Sequence, residues 1–158
     1  MRKLQWLLAA GLLCVSAFAQ AEKPNFSGTW KLNNDKGTRD GPADRVYLET
    51  IVQTNTTITV TTKSAGVTNL LDGTFPIKDK PHVEKMGKNY RFTKVSWEGP
   101  TLVFEISDKD GKKDTSKFLL YVRESWSLSP DGTVLTKFRR SGAAQKPVVD
   151  QKYVFDKQ

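Results

Sequence analysis

The chain is poor in the side chains that build metal centres and disulfide frameworks. Its 158 residues include one cysteine and one histidine. A single cysteine excludes an intrachain disulfide, and together the two residues are too few ligands for a His/Cys zinc site. Stability must therefore come from burial and hydrogen bonding. The length is that of one domain with a core of its own.

Helical periodicity is also missing from residues 22–158, where no window of helical length shows apolar residues recurring every three and four positions. Instead, segments of strand length alternate with turn signals, the spacing typical of an all-β barrel or sandwich. The predicted strands are Phe26 to Leu32, Arg45 to Gln53, Thr56 to Lys63, Val67 to Ile77, Asn89 to Trp97, Thr101 to Ser107, Thr115 to Leu128, Thr133 to Arg140 and Val148 to Phe155.

The first 21 residues have the pattern of a secretory signal peptide. Two basic residues precede an apolar run from Leu4 to Phe18, and the small-residue pattern A-Q-A follows, ending at Ala21. The run is short for a membrane span, and polar residues follow it. We therefore expect cleavage after Ala21 and a secreted or periplasmic domain, residues 22–158, with no transmembrane segment.

Basic residues outnumber acidic ones by 25 to 17, and removal of the leader would leave 23 against 17, a net charge of +6. This surplus is compatible with an acidic partner but does not require one. The densest basic and aromatic stretch runs from Lys85 to Lys94, a composition also found in nucleic-acid-binding barrels. Because the export signal argues against nucleic acid, the stretch indicates either an ordinary solvated face or a surface for an acidic envelope partner.

Turn residues predict the register of two hairpins. A two-residue turn at Gly99-Pro100 would pair Trp97 with Leu102 and Val95 with Phe104.

In the second hairpin, a three-residue loop from Pro130 to Gly132 would place Trp126 opposite Thr136 and Glu124 opposite Phe138. The even-numbered residues of both strands would then share one face. We expect that mainly apolar face to be the interior, which would also carry Glu124 and Arg140.

Three short motifs resemble those of lipocalins and other calycin barrels. The segment Asn25 to Leu32, NFSGTWKL, is similar to the family's first-strand G-x-W signature. Small exported bacterial lipocalin-like proteins open with a GTWKL strand, carry a hairpin similar to Trp97 to Leu102 and end on a strand similar to VFDK, residues 154–157. The resemblance implies an antiparallel up-and-down β-barrel of about 8–10 strands. It also implies that Trp30 closes the barrel base, with Arg139 or Arg140 packed over its ring.

A barrel of this size can enclose one small ligand, so we expect a non-enzymatic protein that binds an apolar or amphipathic molecule inside. The alternative at this point is that the same residues simply fill the core. The residues expected to line the site are Val46, Leu48, Val52, Tyr90, Phe92, Phe104, Leu120, Glu124, Trp126, Phe138 and Arg140. Within this set, Arg140 is a candidate anchor for a ligand carboxylate, and the alternative for Glu124 and Arg140 is a solvated rim.

Signals for catalysis, a metal or a cofactor are weak. His82, the one imidazole, has turn-like neighbours that indicate an exposed loop. Asp108, Asp110 and Asp114 lack the ligand spacing of a calcium loop. We therefore expect no enzyme, metal or cofactor site. The runner-up function is a cell-envelope module whose basic surface binds an acidic polysaccharide, lipid headgroup or protein.

Overall fold

The computed structural model describes residues 23–38, 47–64, 69–111 and 117–158. These residues form ten strands: β1 (Gly28–Leu32), β2 (Tyr47–Gln53), β3 (Thr57–Ser64), β4 (Gly73–Pro76), β5 (Lys78–Met86), β6 (Asn89–Glu98), β7 (Thr101–Lys109), β8 (Phe118–Leu128), β9 (Val134–Ala143) and β10 (Val149–Lys157). The predicted leader, Val46 and Asp114 lie outside the described residues.

All ten strands belong to one antiparallel sheet with the order β4-β3-β2-β1-β10-β9-β8-β7-β6-β5. Pairing of β1 with β10 joins the first strand to the last. The sheet edges, β4 and β5, are consecutive in the chain with Ile77 between them, and Ile77 forms a parallel bridge to Val95 of β6. The sheet is therefore a nearly closed up-and-down barrel, as predicted, with a gap between β4 and β5.

We call the end that carries the β6–β7 and β8–β9 turns the base, and the end that carries the β5–β6, β7–β8 and β9–β10 turns the rim. An aromatic core fills the barrel toward the base. Trp126 and Phe104 lie with ring centroids 4.5 Å apart, and the Phe26 ring meets Trp126 edge-on at 5.8 Å. Because both rings of the closest pair are completely buried, this half of the barrel is solid.

The β6–β7 hairpin has the predicted register, with Trp97 opposite Leu102 and Val95 opposite Phe104. The prediction of one strand from Val67 to Ile77 is wrong, because only Gly73–Pro76 forms a strand there among the described residues. Strand β5 was missed. All nine of its residues are exposed, so its sequence has no apolar alternation, and Pro81 lies within it. His82 is exposed, as expected, but lies in this strand rather than in a loop.

The predicted register of the β8–β9 hairpin is wrong by one residue. Trp126 pairs with Lys137 and Glu124 with Arg139, because the loop contains four residues, from Pro130 to Thr133. Side-chain hydrogen bonds draw Thr133 into the loop.

Within that loop, the Asp131 carboxylate accepts hydrogen bonds from the Ser129 hydroxyl and from the backbone N–H and hydroxyl of Thr133. The same bonds, that of Ser129 first, lower the pKa of Asp131 to about 2. The Ser129 N–H then donates to the Val134 carbonyl at 2.9 Å, which closes the wider loop.

A slip of one residue exchanges the two faces of β9. Phe138, expected inside, has 54% of its surface exposed, and Arg140 is exposed beside Asp150, with their closest charged atoms 3.8 Å apart. Lys137 and Arg139 point inward instead, following the buried Leu135 at the two-residue spacing of a strand.

This register has a simple stability test. We expect Leu135→Ala to lower the free energy of unfolding by about 2–5 kcal/mol, since it opens a cavity in a packed interior. Phe138→Ala removes an exposed ring and is expected to change stability by less than about 0.5 kcal/mol. Urea unfolding of both variants measures the two values. The opposite ranking would support the three-residue loop.

Candidate ligand-binding site

Four charged side chains point into the barrel on the rim side of the aromatic core. Glu49 of β2 and Glu124 of β8 are buried carboxylates, and Lys137 and Arg139 are the cations next to each other on the inner face of β9. Lys137 is paired with Glu49 and Arg139 with Glu124. Burying an unpaired charge costs much free energy. In each pair, the attraction between carboxylate and cation offsets the cost of burying both charges.

The strand order explains why these four residues meet. Glu124 lies directly opposite Arg139 in the β8–β9 ladder. Glu49 and Lys137 are 88 positions apart and come together across the barrel interior, since β1 and β10 separate their strands in the sheet. The curvature of the sheet therefore brings Glu49 and Lys137 together.

Glu49 is surrounded by donors. The Tyr47 hydroxyl and the Asn69 side-chain amide each donate to Glu49 Oε1 at 3.1 Å, while Lys137 donates to Oε2. Asn69 is itself held by Thr62 Oγ1 at 3.1 Å. Both oxygens of this buried side chain are therefore hydrogen-bonded, as buried polar groups generally are.

Burial raises the pKa of the Tyr47 phenol, and the neighbouring Glu49 charge raises it further. Both effects disfavour the phenolate, so Tyr47 remains a neutral donor at physiological pH. The stabilising contribution of this group is present below the ordinary tyrosine pKa and is lost as the pH rises through the higher pKa of the folded protein.

Glu124 joins the Glu124–Arg139 ion pair to the aromatic core. The Trp126 indole N–H donates to Glu124 Oε1 at 2.7 Å, and Arg139 Nε donates to Oε2. The Lys137 ammonium lies 3.7 Å from the centroid of the Trp126 ring, a close cation–π contact. The charged cluster is therefore seated directly on the aromatic core.

Arg139 is the cluster member that reaches solvent, with 24% of its side chain exposed. Burial works to lower its pKa, but the charge of Glu124 and the nearby tyrosines outweigh it, and the pKa is raised. Its Nε is occupied by Glu124, whereas no acceptor among the described residues bonds its two Nη atoms. Within the described part of the chain these atoms are available to an incoming group, while the guanidinium carbon lies over the Tyr153 ring, 5.2 Å from its centroid.

A cavity of about 180 Å³ adjoins the cluster. It is lined by Leu32, Tyr47, Glu49, Asn69, Leu70, Glu124, Lys137, Arg139, Tyr153 and Phe155. The volume is below the roughly 300–1,000 Å³ of most ligand pockets and equals that of about six water molecules. Its lining combines charged with apolar side chains, so the space suits a small amphipathic molecule.

A second cavity of about 250 Å³ occupies the gap between β4 and β5, where Phe75, His82 and Arg91 are among its lining residues. Leu70 lines both cavities, so the two spaces adjoin at this residue. Arg91 is held there by two bonds to the Asp108 carboxylate, at 2.7 and 2.8 Å.

The residues predicted to line the site fall into three groups. Glu124 lines the first cavity, whereas Phe104 and Trp126 are buried in the aromatic core and Leu120 packs against it. An interior position is wrong for Leu48, Val52, Tyr90, Phe92, Phe138 and Arg140, which lie on the other face of their strands. Val46 lies outside the described residues.

The error on β2 has a clear physical origin. Its apolar even-numbered residues were expected to face inward, but Tyr47, Glu49 and Ile51 do so. A glutamate in the interior contradicts the usual burial pattern, and only its partners make it possible. Alternate residues of a strand share a face, so counting back in twos from the apolar Ile51 leads to Glu49 and Tyr47. This is the sequence signal that identifies the inward face.

Trp30 is completely buried, and its indole N–H donates to the Phe26 carbonyl at 2.9 Å. The cation over its ring is Lys157, at 5.4 Å from the centroid. The expectation of Arg139 or Arg140 in this position is wrong, because Arg139 is engaged by Glu124 and Arg140 points outward beside Asp150.

Within residues 23–38, 47–64, 69–111 and 117–158, no three His, Cys, Asp or Glu side chains converge as metal ligands do. The same ranges contain no helix with the length and hydropathy of a membrane span.

The sequence matches no protein-family model and no curated protein. Solved structures do match. Lipid binding protein 8 from Caenorhabditis elegans is 17% identical, with a TM-score of 0.52 over 84% of this chain and 95% of that one. Secretory abundant heat soluble protein 4 from Ramazzottius varieornatus is 13% identical, with a TM-score of 0.51 over 84% of this chain and 94% of that one.

What is shared is the fold. At these identities the similarity extends to the barrel architecture alone, and function has to be argued from the site. The predicted antiparallel up-and-down barrel is confirmed, and the resemblance of the short motifs to a particular family stays a prediction.

Proposed function

We propose that this chain is an exported, non-enzymatic binding protein that holds a small amphipathic molecule in the cavity beside Arg139. The observation that carries the proposal is that the two Arg139 Nη atoms bond no acceptor among the described residues, on a side chain that lines a partly apolar cavity. A partly buried cation with unused donors binds an anionic or strongly polar head group. The solved lipid binding protein of the same fold supports ligand binding within such a barrel.

The apolar part of the ligand would lie against Leu32, Leu70 and Phe155. The cavity beside Arg139 is large enough for a short chain, and a longer chain needs the space behind Leu70 as well. Together the two cavities reach the volume of an ordinary ligand pocket. Export to the periplasm or the medium is part of the proposal and rests on the leader sequence.

Native mass spectrometry of the protein purified from its host tests the proposal most directly, because a retained small molecule appears as added mass. Titration with octanoate and palmitate, followed by calorimetry, supplies defined probes. Binding of neither probe, together with no retained mass, would contradict the proposal.

The head-group site has a matched pair of variants. We expect Glu124→Gln/Arg139→Met to weaken octanoate binding by about 10- to 100-fold, the value of a charge-assisted hydrogen bond. Changing both residues avoids leaving a buried carboxylate without its cation. Arg140→Met, one position along β9 on the outer face, is the control and should leave the affinity unchanged. If both variants lose the same octanoate affinity, the octanoate carboxylate does not bind at Arg139.

Leu70→Ala tests whether the Leu70 side chain separates the two cavities. Removing the side chain joins the two spaces, so palmitate binding should strengthen by about tenfold relative to octanoate binding. Leu128→Ala, on the base side of β8, is the matched control and should not change this ratio. An unchanged ratio in Leu70→Ala would show that Leu70 does not limit ligand length.

A further inference from the structure

The exposed large apolar side chains of this barrel are concentrated at one end. Among the described residues, seven such side chains have 36–55% of their surface exposed. Five of them lie at or next to the rim: Val83, Met86, Phe118, Val148 and Val149. The other two, Val52 and Phe138, stand singly on the outer wall. Single exposed residues are common on soluble proteins, whereas a cluster on one end needs an explanation.

The five residues belong to neighbouring connections. The sheet order places the β5–β6, β7–β8 and β9–β10 turns side by side along half of the rim. Met86 precedes the first turn, Phe118 follows the second and Val148 ends the third. Apolar side chains on three adjacent tips present one surface to a broad partner rather than a single peptide.

A groove of about 400 Å³ lies within this surface, between the start of β8 and the β9–β10 turn. Its walls are mainly apolar and include Phe118, Leu120, Ala143 and Val148. Phe118 is fixed at the groove by Lys109, whose ammonium lies 4.6 Å from its ring centroid and 4.9 Å from that of Phe92. The groove suits the end of an acyl chain.

Lysines surround the apolar tips. Lys85, Lys88, Lys117 and Lys146 are exposed on the same three connections. Among the described residues of this region the exposed carboxylates are Glu84, Asp110 and Asp150, and Asp150 lies beside the exposed Arg140. With Arg140 counted, five cations face these three carboxylates, so the described part of the border is net positive. Apolar tips within a net positive border are the combination that binds anionic lipid surfaces.

We infer that the rim docks on the surface of an anionic phospholipid bilayer, with Phe118, Val148 and Met86 entering the interface and the four lysines contacting lipid phosphates. The charge of the border selects lipid over an apolar protein partner. This inference is independent of the proposed ligand, although docking would bring the Arg139 cavity toward the membrane, because that cavity lies on the rim side of the core.

Sedimentation of the full chain with vesicles tests docking. The vesicles are phosphatidylcholine alone or with about one-third phosphatidylglycerol, and the wild type should bind the anionic ones more tightly by about tenfold or more. Phe118→Asp/Val148→Asp should weaken that binding about tenfold. The same change on the outer wall, Val52→Asp/Phe138→Asp, should alter it less than about twofold. The rim variant and the outer-wall variant both keep the apolar N-terminal segment, which can itself bind lipid, so any difference between them comes from the barrel. Equal vesicle binding by the two variants would overturn the inference.

The lysines are tested separately by Lys117→Gln/Lys146→Gln, which should weaken anionic-vesicle binding about tenfold or more at low salt and have little effect at high salt. Lys78→Gln/Lys80→Gln, toward the base end of β5, is the matched control and should change binding less than twofold. Octanoate affinity measured without vesicles should be unchanged in all four double variants. Loss of vesicle binding with retained octanoate binding thus separates the two proposals.

Phe118→Trp covers the case in which the Asp variants fail to fold. Its added fluorescence should be quenched by brominated lipids in the anionic vesicles, whereas that of Val52→Trp should not. The inference is overturned when wild-type protein binds neither kind of vesicle. If the rim variants then abolish binding to a host protein, the rim is a protein-binding surface instead.

Discussion

Lys137→Met is expected to lower the free energy of unfolding by about 3–5 kcal/mol, because it leaves the Glu49 carboxylate buried without its cation. A loss of that size is a large fraction of the total stability of a domain. The Tyr47 and Asn69 hydrogen bonds remain in the variant and limit the loss, since Glu49 keeps two donors. Urea unfolding with linear extrapolation measures the change.

The control for this prediction is Glu49→Gln/Lys137→Met, which removes both charges and keeps an acceptor for Tyr47 and Asn69. We expect the double variant to recover most of the loss, since a buried ion pair contributes little beyond cancelling the cost of burying its two charges. A single Lys137→Met variant within about 1 kcal/mol of the wild type would show that the pair is not buried as described.

Trp30→Ala is expected to destabilise the protein by about 3–5 kcal/mol. The indole is completely buried, and its loss leaves a large cavity and removes the bond to the Phe26 carbonyl. Trp30→Phe keeps a ring and loses the donor, so about 1–3 kcal/mol is expected for it. Thermal and urea unfolding measure both values.

Trp97 provides the comparison for Trp30. Its ring stacks on Phe26 at 6.1 Å but is only half-buried, so Trp97→Ala should cost less than Trp30→Ala. Equal losses in the two alanine variants would mean that Trp30 is not the better-packed of these two aromatic residues.

The two stability predictions bear on function because the charged cluster has both a structural and a proposed binding role. Lys137 is buried against Glu49 and two aromatic rings, whereas Arg139 reaches solvent and uses only Nε to bond Glu124. Lys137 variants should therefore report mainly on stability and Arg139 variants mainly on ligand affinity. The outward-facing rim residues should affect neither.

Much of the fold could be predicted from local sequence. Alternating apolar residues and glycine-containing turns predicted the all-β barrel, and the Gly99-Pro100 turn predicted the β6–β7 register. Strand β5 could not be predicted in this way, because its residues are exposed on both faces and carry no burial pattern. It exists because β6 offers a free edge to pair with.

The candidate site was much less accessible to sequence reasoning. An additional loop residue, Thr133, decides which face of β9 is inside, and it was drawn into the loop by hydrogen bonds to Asp131 that no periodicity reveals. Charged residues read as solvent-facing when each strand is considered alone. Glu49 and Lys137 are tolerated inside only as a pair.

By itself, then, the sequence determined that the chain folds as antiparallel strands around aromatic residues such as Trp30, since alternation and turn chemistry act over a few neighbouring positions. Only the tertiary structure decided that Glu49, Glu124, Lys137 and Arg139 meet in the interior. The physical reason is that a buried charge depends on a partner supplied by another strand, which in the case of Glu49 and Lys137 lies 88 residues away.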